Sequence, residues 1–192
     1  MITQFYSAST PEEAIALAEN GCDHVGLSPI TAMKLTSELA NRELRAIVDA
    51  VDSRARCVAL MIDNNEEDMF KIIAEVRPAI IHLCGDEVHV TPSFAATVRA
   101  RFPGTELMQA IPVVGPEAID ETLRYSQFCD FLILNSVTAD MPGTSAAGVT
   151  HDWNISREIC ACATCKVVLA GGLGREMSRR RSAPCARTAS TA

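Results

Sequence analysis

No apolar run in the chain approaches the roughly 20 residues that a membrane helix requires. The N-terminus has neither the basic n-region nor the apolar h-region of an export signal, so the chain is expected in the cytosol, away from any membrane. Aromatic residues make up only 5% and the net charge is −7, which argues against a nucleic-acid surface. No linker-like stretch divides the 192 residues, so a single core is expected. The charge is uneven: residues 175–192 hold five of the 17 basic and one of the 24 acidic residues, leaving 12 and 23 before them, a balance of −11.

What the chain does have is a repeating alternation. Residues 2–7 read as a strand, and Thr10-Pro11-Glu12-Glu13 supplies an N-cap, a proline at the first helical position and acids in the first turn. A second strand is predicted at 24–27, with Ser28-Pro29 breaking it into a loop. Helices follow at about 37–51, 66–76, 92–100, 117–125 and 153–162, and strands at 57–62, 79–83, 106–113 and 131–134. The last strand, Val167-Val168-Leu169-Ala170, ends in Gly171-Gly172-Leu173-Gly174.

Seven strands, largely continuous apolar runs, the first six each followed by a helix-forming segment, are what a buried parallel sheet needs. A doubly wound sheet usually has five or six, whereas a TIM (β/α)8 barrel has eight and runs to about 250 residues. The fold class expected is therefore α/β, a TIM (β/α)8-type barrel one unit short, over residues 1–176. Chemistry in such barrels lies just after the strands, here around Tyr6, Ser28, Asp63, Cys84, Pro112, Asn135 and Gly171. Glycines at 171 and 172 let backbone N–H groups approach an anion closely, which suits a phosphate, although a tight strand-to-helix turn would need the same residues.

The chain resembles the phosphoribosylanthranilate isomerase family over residues 1 to about 176. The likeness rests on Thr10-Pro11-Glu12-Glu13-Ala14, Gly21-Cys22-Asp23-His24-Val25-Gly26, Ile81-His82-Leu83-Cys84-Gly85-Asp86-Glu87 where the family reads V-Q-L-H-G-D-E, Leu132-Ile133-Leu134-Asn135-Ser136, His151-Asp152-Trp153 and Leu169-Ala170-Gly171-Gly172-Leu173. The resemblance implies an Amadori-type aldose–ketose isomerisation of a phosphoribosyl amine in tryptophan biosynthesis. It implies a small phosphorylated sugar-amine as partner, and no metal or organic cofactor. In the family a base takes a proton from a sugar carbon and an acid protonates the ring oxygen. The usual base is a Cys after the first strand, where this chain has Tyr6; the usual acid is an Asp where it has Asn135. The arginine expected after Ser28-Pro29 is Ile30, with Lys34 the nearest cation.

These departures leave several groups in play. Tyr6 serves as a base only with a strongly depressed phenol pKa, and packing is the simpler role. Cys84 is better placed as a thiolate, against a structural thiol. Asp63 and Asp86 either transfer protons or cap the helices after them. His82 reads as an interior histidine, His89 has no motif around it, and Asp152 caps the sixth helix. The loop from Val137 to Thr150, with Gly148 as a further phosphate contact, is either a lid or a flexible connection. Cys160, Cys162 and Cys165, with Cys185, lack a second paired knuckle, so no metal is expected, and the eight cysteines read as reduced core thiols. The alternatives to the isomerase are a non-catalytic phosphometabolite-binding barrel and another phosphosugar barrel enzyme using Asp63, Asp86 or Cys84.

Residues 177–192 show no apolar period and are rich in Arg, Ser, Ala and Thr, a composition that cannot offset its ordering entropy. Back-translated with GC-rich codons and given one extra A before the Met177 codon, the segment reads E-N-V-A-A-A-I-R-A-V-R-P-D-G-V-D-S, a capped amphipathic helix and a strand. A single-base deletion just after Glu176 is the expectation. Sequencing of the genomic DNA across the Glu176–Ser178 codons should recover the missing base, and an intact frame encoding the present tail would refute it.

Overall fold

The computed structural model describes residues 2–30, 38–62, 65–85, 88–136 and 149–173. It resolves into two compact units, residues 2–108 and residues from Gln109 onward. The basic tail, 177–192, lies outside the described residues, as do Asp63, Asp86, Lys34 and Gly148.

The first unit alternates strand and helix: β1 (Gln4–Phe5), α1 (Pro11–Glu19), β2 (His24–Pro29), β3 (Glu38–Leu39), α2 (Asn41–Val51), β4 (Arg56–Met61), α3 (Glu66–Val76), β5 (Ile80–Leu83) and α4 (Pro92–Arg101). The pairings β1 to β2, β2 to β4 and β4 to β5 are all parallel, with Gln4 opposite His24, Val25 opposite Cys57, and Leu60 opposite His82. Val25, Leu27, Val58, Ala59, Met61, Ile80 and Ile81 are fully buried, as a sheet covered on both faces demands. β6 (Glu106–Pro112) leaves this unit, its first N–H donating to Ala79 O at 2.9 Å.

Helix starts follow local chemistry. Thr10 Oγ1 accepts from Glu13 N at 3.2 Å, Asn65 Oδ1 from Asp68 N at 3.0 Å, and Thr91 Oγ1 from Phe94 N at 3.1 Å. These caps satisfy N–H groups that have no partner inside the helix. Each helix then buries a stripe: Leu44, Ile47 and Val51 in α2; Met69, Ile72, Ile73 and Val76 in α3; Phe94, Ala95 and Val98 in α4. Phe70 stacks on Phe94 with ring centroids 5.4 Å apart.

The second unit continues with α5 (Glu117–Tyr125), β7 (Phe131–Asn135), α6 (Trp153–Cys162) and β8 (Lys166–Leu169). β7 and β8 are parallel, with Leu132 opposite Val167 and Leu134 opposite Leu169, and Val113 N donates to Asn135 O at 2.9 Å. Asp152 caps α6 as expected, Oδ1 accepting from Asn154 N at 2.8 Å.

All seven expected strands are present, most with ends shifted by about one residue, and three boundaries differ by more. The first strand is only two residues long, because Thr3 N bonds Asp23 Oδ2 at 2.7 Å and Ser7 turns the chain at φ +71°. Ser28 and Pro29 remain in β2, where Glu38 and Leu39 pair with them in parallel; Pro29 brings no N–H, and pairing stops there. The second helix accordingly starts at Asn41, with Ala40 N donating to Glu43 Oε2 at 2.9 Å. No helix among the described residues is long and apolar enough to cross a membrane.

Gly26 in β2 is the most crowded described glycine of the first unit, since a Cβ there would lie 2.1 Å from Tyr6 Cδ1. Gly26→Ala must push the Tyr6 ring or the strand aside, and urea denaturation should report a loss of about 1–3 kcal/mol.

Candidate active site

In the first unit a chain of polar side chains runs from the start of β2 through β1 to His82 within β5. His24 Nδ1 and Gln4 Oε1 are 2.9 Å apart, Gln4 Nε2 donates to Tyr6 Oη at 2.8 Å, and Tyr6 Oη is hydrogen-bonded to His82 Nδ1. The amide fixes the direction at one end: Oε1 can only accept and Nε2 can only donate, so His24 carries its proton on Nδ1. His24 and His82 are both 2% exposed, and the Tyr6 and His82 rings lie 5.8 Å apart at a tilt of 40°.

Burial controls the protonation of this group. Desolvation pushes the His82 imidazole down to about 3, so it is neutral at physiological pH. Desolvation, with the Cys84 thiol beside it, pushes the Tyr6 phenol well above its ordinary value. A phenol so placed is not a base in its ground state. His82 Nε2 is buried and has no hydrogen-bond partner among the described residues.

In the second unit the turn after β8 is built on two left-handed glycines, Gly171 at φ +88° and Gly172 at φ +60°. A Cβ on Gly171 would lie 2.3 Å from Ser136 Oγ, and one on Gly172 would lie 2.8 Å from both Thr150 Cγ2 and Val149 C. Ser136, 1% exposed, is bonded through Oγ to His151 Nδ1 at 2.9 Å, and His151 Nε2 to Ser156 Oγ at 2.6 Å. One imidazole thus ties the end of β7 to the first turns of α6, beside the glycine turn.

The sequence candidates fall as follows. Tyr6 is bonded to His82, and the Cys84 thiol lies near enough to Tyr6 to act on its phenol. Cys84 is buried directly after β5, its N–H donating to Met61 O at 2.8 Å. Asn135 is the last residue of β7 and is 3% exposed. Gly171 and Gly172 follow β8, while Asp63, Asp86 and Gly148 lie outside the described residues. Among the described residues no cluster of three or more His, Cys, Asp or Glu could hold a metal, and burial pushes the Cys165 thiol up to about 11. Sequence reasoning missed the partnership of His82 with Tyr6 and gave His151 no role. The available signal for His151 was a histidine one residue before a helix cap, with serines at 136 and 156 to receive it.

The depressed His82 pKa has a sign. Folded His82 stays neutral down to about 3, whereas an unfolded imidazole takes a proton near 6.5, so below that value the unfolded chain binds the extra proton. Stability falls as the pH falls between these values, by up to about 1.4 kcal/mol per unit. Denaturant unfolding between about pH 7 and pH 5 should show a steeper loss in the wild type than in His82→Gln.

No family model matches the chain. It is 30% identical over 168 residues to the N-(5'-phosphoribosyl)anthranilate isomerase of Methanocella arvoryzae, covering 86% of this chain and 74% of that one. It is 30% identical over 148 residues to the protein of the same name from Erythrobacter litoralis, covering 77% and 66%. The crystal structure of phosphoribosyl anthranilate isomerase from Thermotoga maritima matches with a TM-score of 0.76 at 20% identity, over 94% of this chain and 82% of that one. The Thermus thermophilus structure matches at 0.71 and 23% identity, over 94% and 81%. These solved structures bear out the α/β, (β/α)8-type class read from the sequence. With 30% identity over 168 residues, 74% of a relative, the chain belongs to the phosphoribosylanthranilate isomerase family.

Proposed function

We propose that the chain binds a small phosphorylated sugar-amine in the cytosol, with the phosphate received at the turn Gly171-Gly172 and, from the loop before α6, at Gly148. The observation that carries this reading is the pair of successive positive-φ glycines directly after β8. Only glycine adopts such a turn without strain, and it leaves the backbone N–H groups open to close approach by an anion. Ser136, held by His151 against Gly171, gives the turn a polar neighbour.

The reaction named for its relatives needs one group to remove a proton from carbon and another to protonate a ring oxygen. Tyr6 is held neutral, and the Asn135 amide can donate a hydrogen bond to a ring oxygen but cannot give up a proton and recover it. The ionisable candidates for proton transfer are Cys84 and Asp63. A second reading, a barrel that binds a phosphorylated metabolite without turning it over, is favoured by one observation: the hydrogen-bonded Tyr6–His82 pair is neutral in both members.

Two measurements separate these readings. Calorimetric titration with ribose 5-phosphate should show binding that Gly171→Ala weakens by about tenfold or more. Expression with the reading frame restored, in a tryptophan auxotroph lacking the isomerase, should support growth if Cys84 or Asp63 carries the reaction. Binding without growth assigns the silent barrel, and absence of both defeats the proposal.

A further inference from the structure

The backbone that leads into α6 lies against the glycine turn of the same unit. A Cβ on Gly172 would sit 2.8 Å from Val149 C and 2.9 Å from Thr150 N, so the Val149–Thr150 peptide occupies the space that any other residue at 172 would need. Thr150 is exposed and Gly171 and Gly172 are half-buried, so solvent reaches all three. None of their N–H groups donates to another described residue, and neither does the Thr150 hydroxyl. Open donors gathered beside a left-handed turn suit an anion. The start of α6 at Trp153 adds the positive end of a helix with no acid in its first turn, and the carboxylate of Asp152 is turned to Asn154 N at 2.8 Å.

The residue after Thr150 fixes it there. His151 is bonded through Nδ1 to Ser136 Oγ and through Nε2 to Ser156 Oγ, and the two serines are only 1% and 3% exposed. A buried hydroxyl left without its partner costs free energy, so the imidazole is held from both the end of β7 and the second turn of α6. Through Ser136 it backs Gly171, where a Cβ would meet Oγ at 2.3 Å, and through the chain it backs Gly172 with Thr150. We propose that Thr150 is a phosphate-binding residue of the glycine turn, donating through its hydroxyl and its N–H, and that His151 is its positioning residue. This rests on the phosphosugar reading above. The chemistry recognised is the phosphate group itself, free or carried by a sugar, and every donor belongs to the second unit.

Gly172 is the only glycine that follows another glycine, so labelling glycine with 13C at the carbonyl and 15N at the amide singles out its N–H signal without mutation. Inorganic phosphate titrated into the full-length protein should shift that signal. Thr150→Val, which keeps the shape and removes the hydroxyl, should weaken phosphate by about tenfold, the loss expected for one hydrogen bond to a charged group, and Thr150→Ser should restore it. His151→Phe should also weaken phosphate, and by less when Thr150 is already valine, because the two act through one position. His151→Gln, whose amide offers one donor and one acceptor, should recover part of that loss, and His151→Ala serves if the phenylalanine variant does not fold. A Gly172 signal that moves while Thr150→Val binds as tightly as the wild type overturns the role of Thr150. Strictly additive losses overturn the positioning role of His151. A Gly172 signal that phosphate does not move removes the phosphosugar reading of this turn, and the present inference with it.

Discussion

Parallel strands have no hairpin to set their register, so the alignment of β1, β2, β4 and β5 depends on what their side chains bury and on how far the sheet curls. β1 and β5 are separated by two intervening strands, and on a flat sheet they would lie about 14 Å apart. A phenol and an imidazole standing straight out of such a sheet do not meet. The Tyr6–His82 hydrogen bond therefore requires the first unit to curl toward the face that carries both residues. It also requires β2, beside β1, to offer no obstacle where the ring lies, and Gly26 supplies that gap. A slip of one residue would turn Gln4 and His24 to opposite faces and break the chain of bonds at its start.

The same dependence explains which features were legible in the sequence. A strand covered on both faces must be apolar throughout, so β4, β5 and β7 announce themselves as runs. Helix starts were legible where a local cap exists, as at Thr10 and Asp152, because a cap acts over two or three residues. The misplaced boundaries are those decided by partners distant in the chain. Pro29 looked like a strand breaker until Leu39 paired with it, and Thr3 left the first strand to bond Asp23, twenty residues away. Tyr6 could be found by motif order, but its partner could not, since His82 is 76 residues on and meets it only through the curl. His151 was hidden for a related reason: it satisfies one serine after a strand and another inside a helix, a role that no short motif encodes.

The two glycine positions at the ends of β8 and within β2 show how differently one residue type is used. Gly26 has ordinary strand geometry, and glycine is required there by the Tyr6 ring alone. Gly171 and Gly172 are required twice, by φ values of +88° and +60° and by the side chain and backbone crowding them. Read from sequence, the second pair looked like the phosphate motif and the first like an ordinary strand residue, yet both bring chemistry-bearing groups close: Tyr6 over β2, Ser136 beside the turn.

What the family resemblance and the geometry say together concerns charge. A thiolate and a carboxylate are groups whose usefulness lies in changing protonation state, and burial makes each ionisation costly unless a partner compensates it. Where the family resemblance implies those two groups, this chain has Tyr6 and Asn135, and the Tyr6 phenol is bonded to an imidazole that burial keeps neutral. A network of neutral donors and acceptors is stable in a low-dielectric interior when its members satisfy one another, and the run from His24 to Tyr6 does so. The exception is His82 Nε2, buried at the far end without a partner among the described residues. That one open end is where the network's cost is concentrated, because moving a proton onto His82 would place an uncompensated charge there. Proton transfer through Tyr6 is therefore opposed at both its ends, by a phenol that resists losing its hydrogen and an imidazole that resists gaining it.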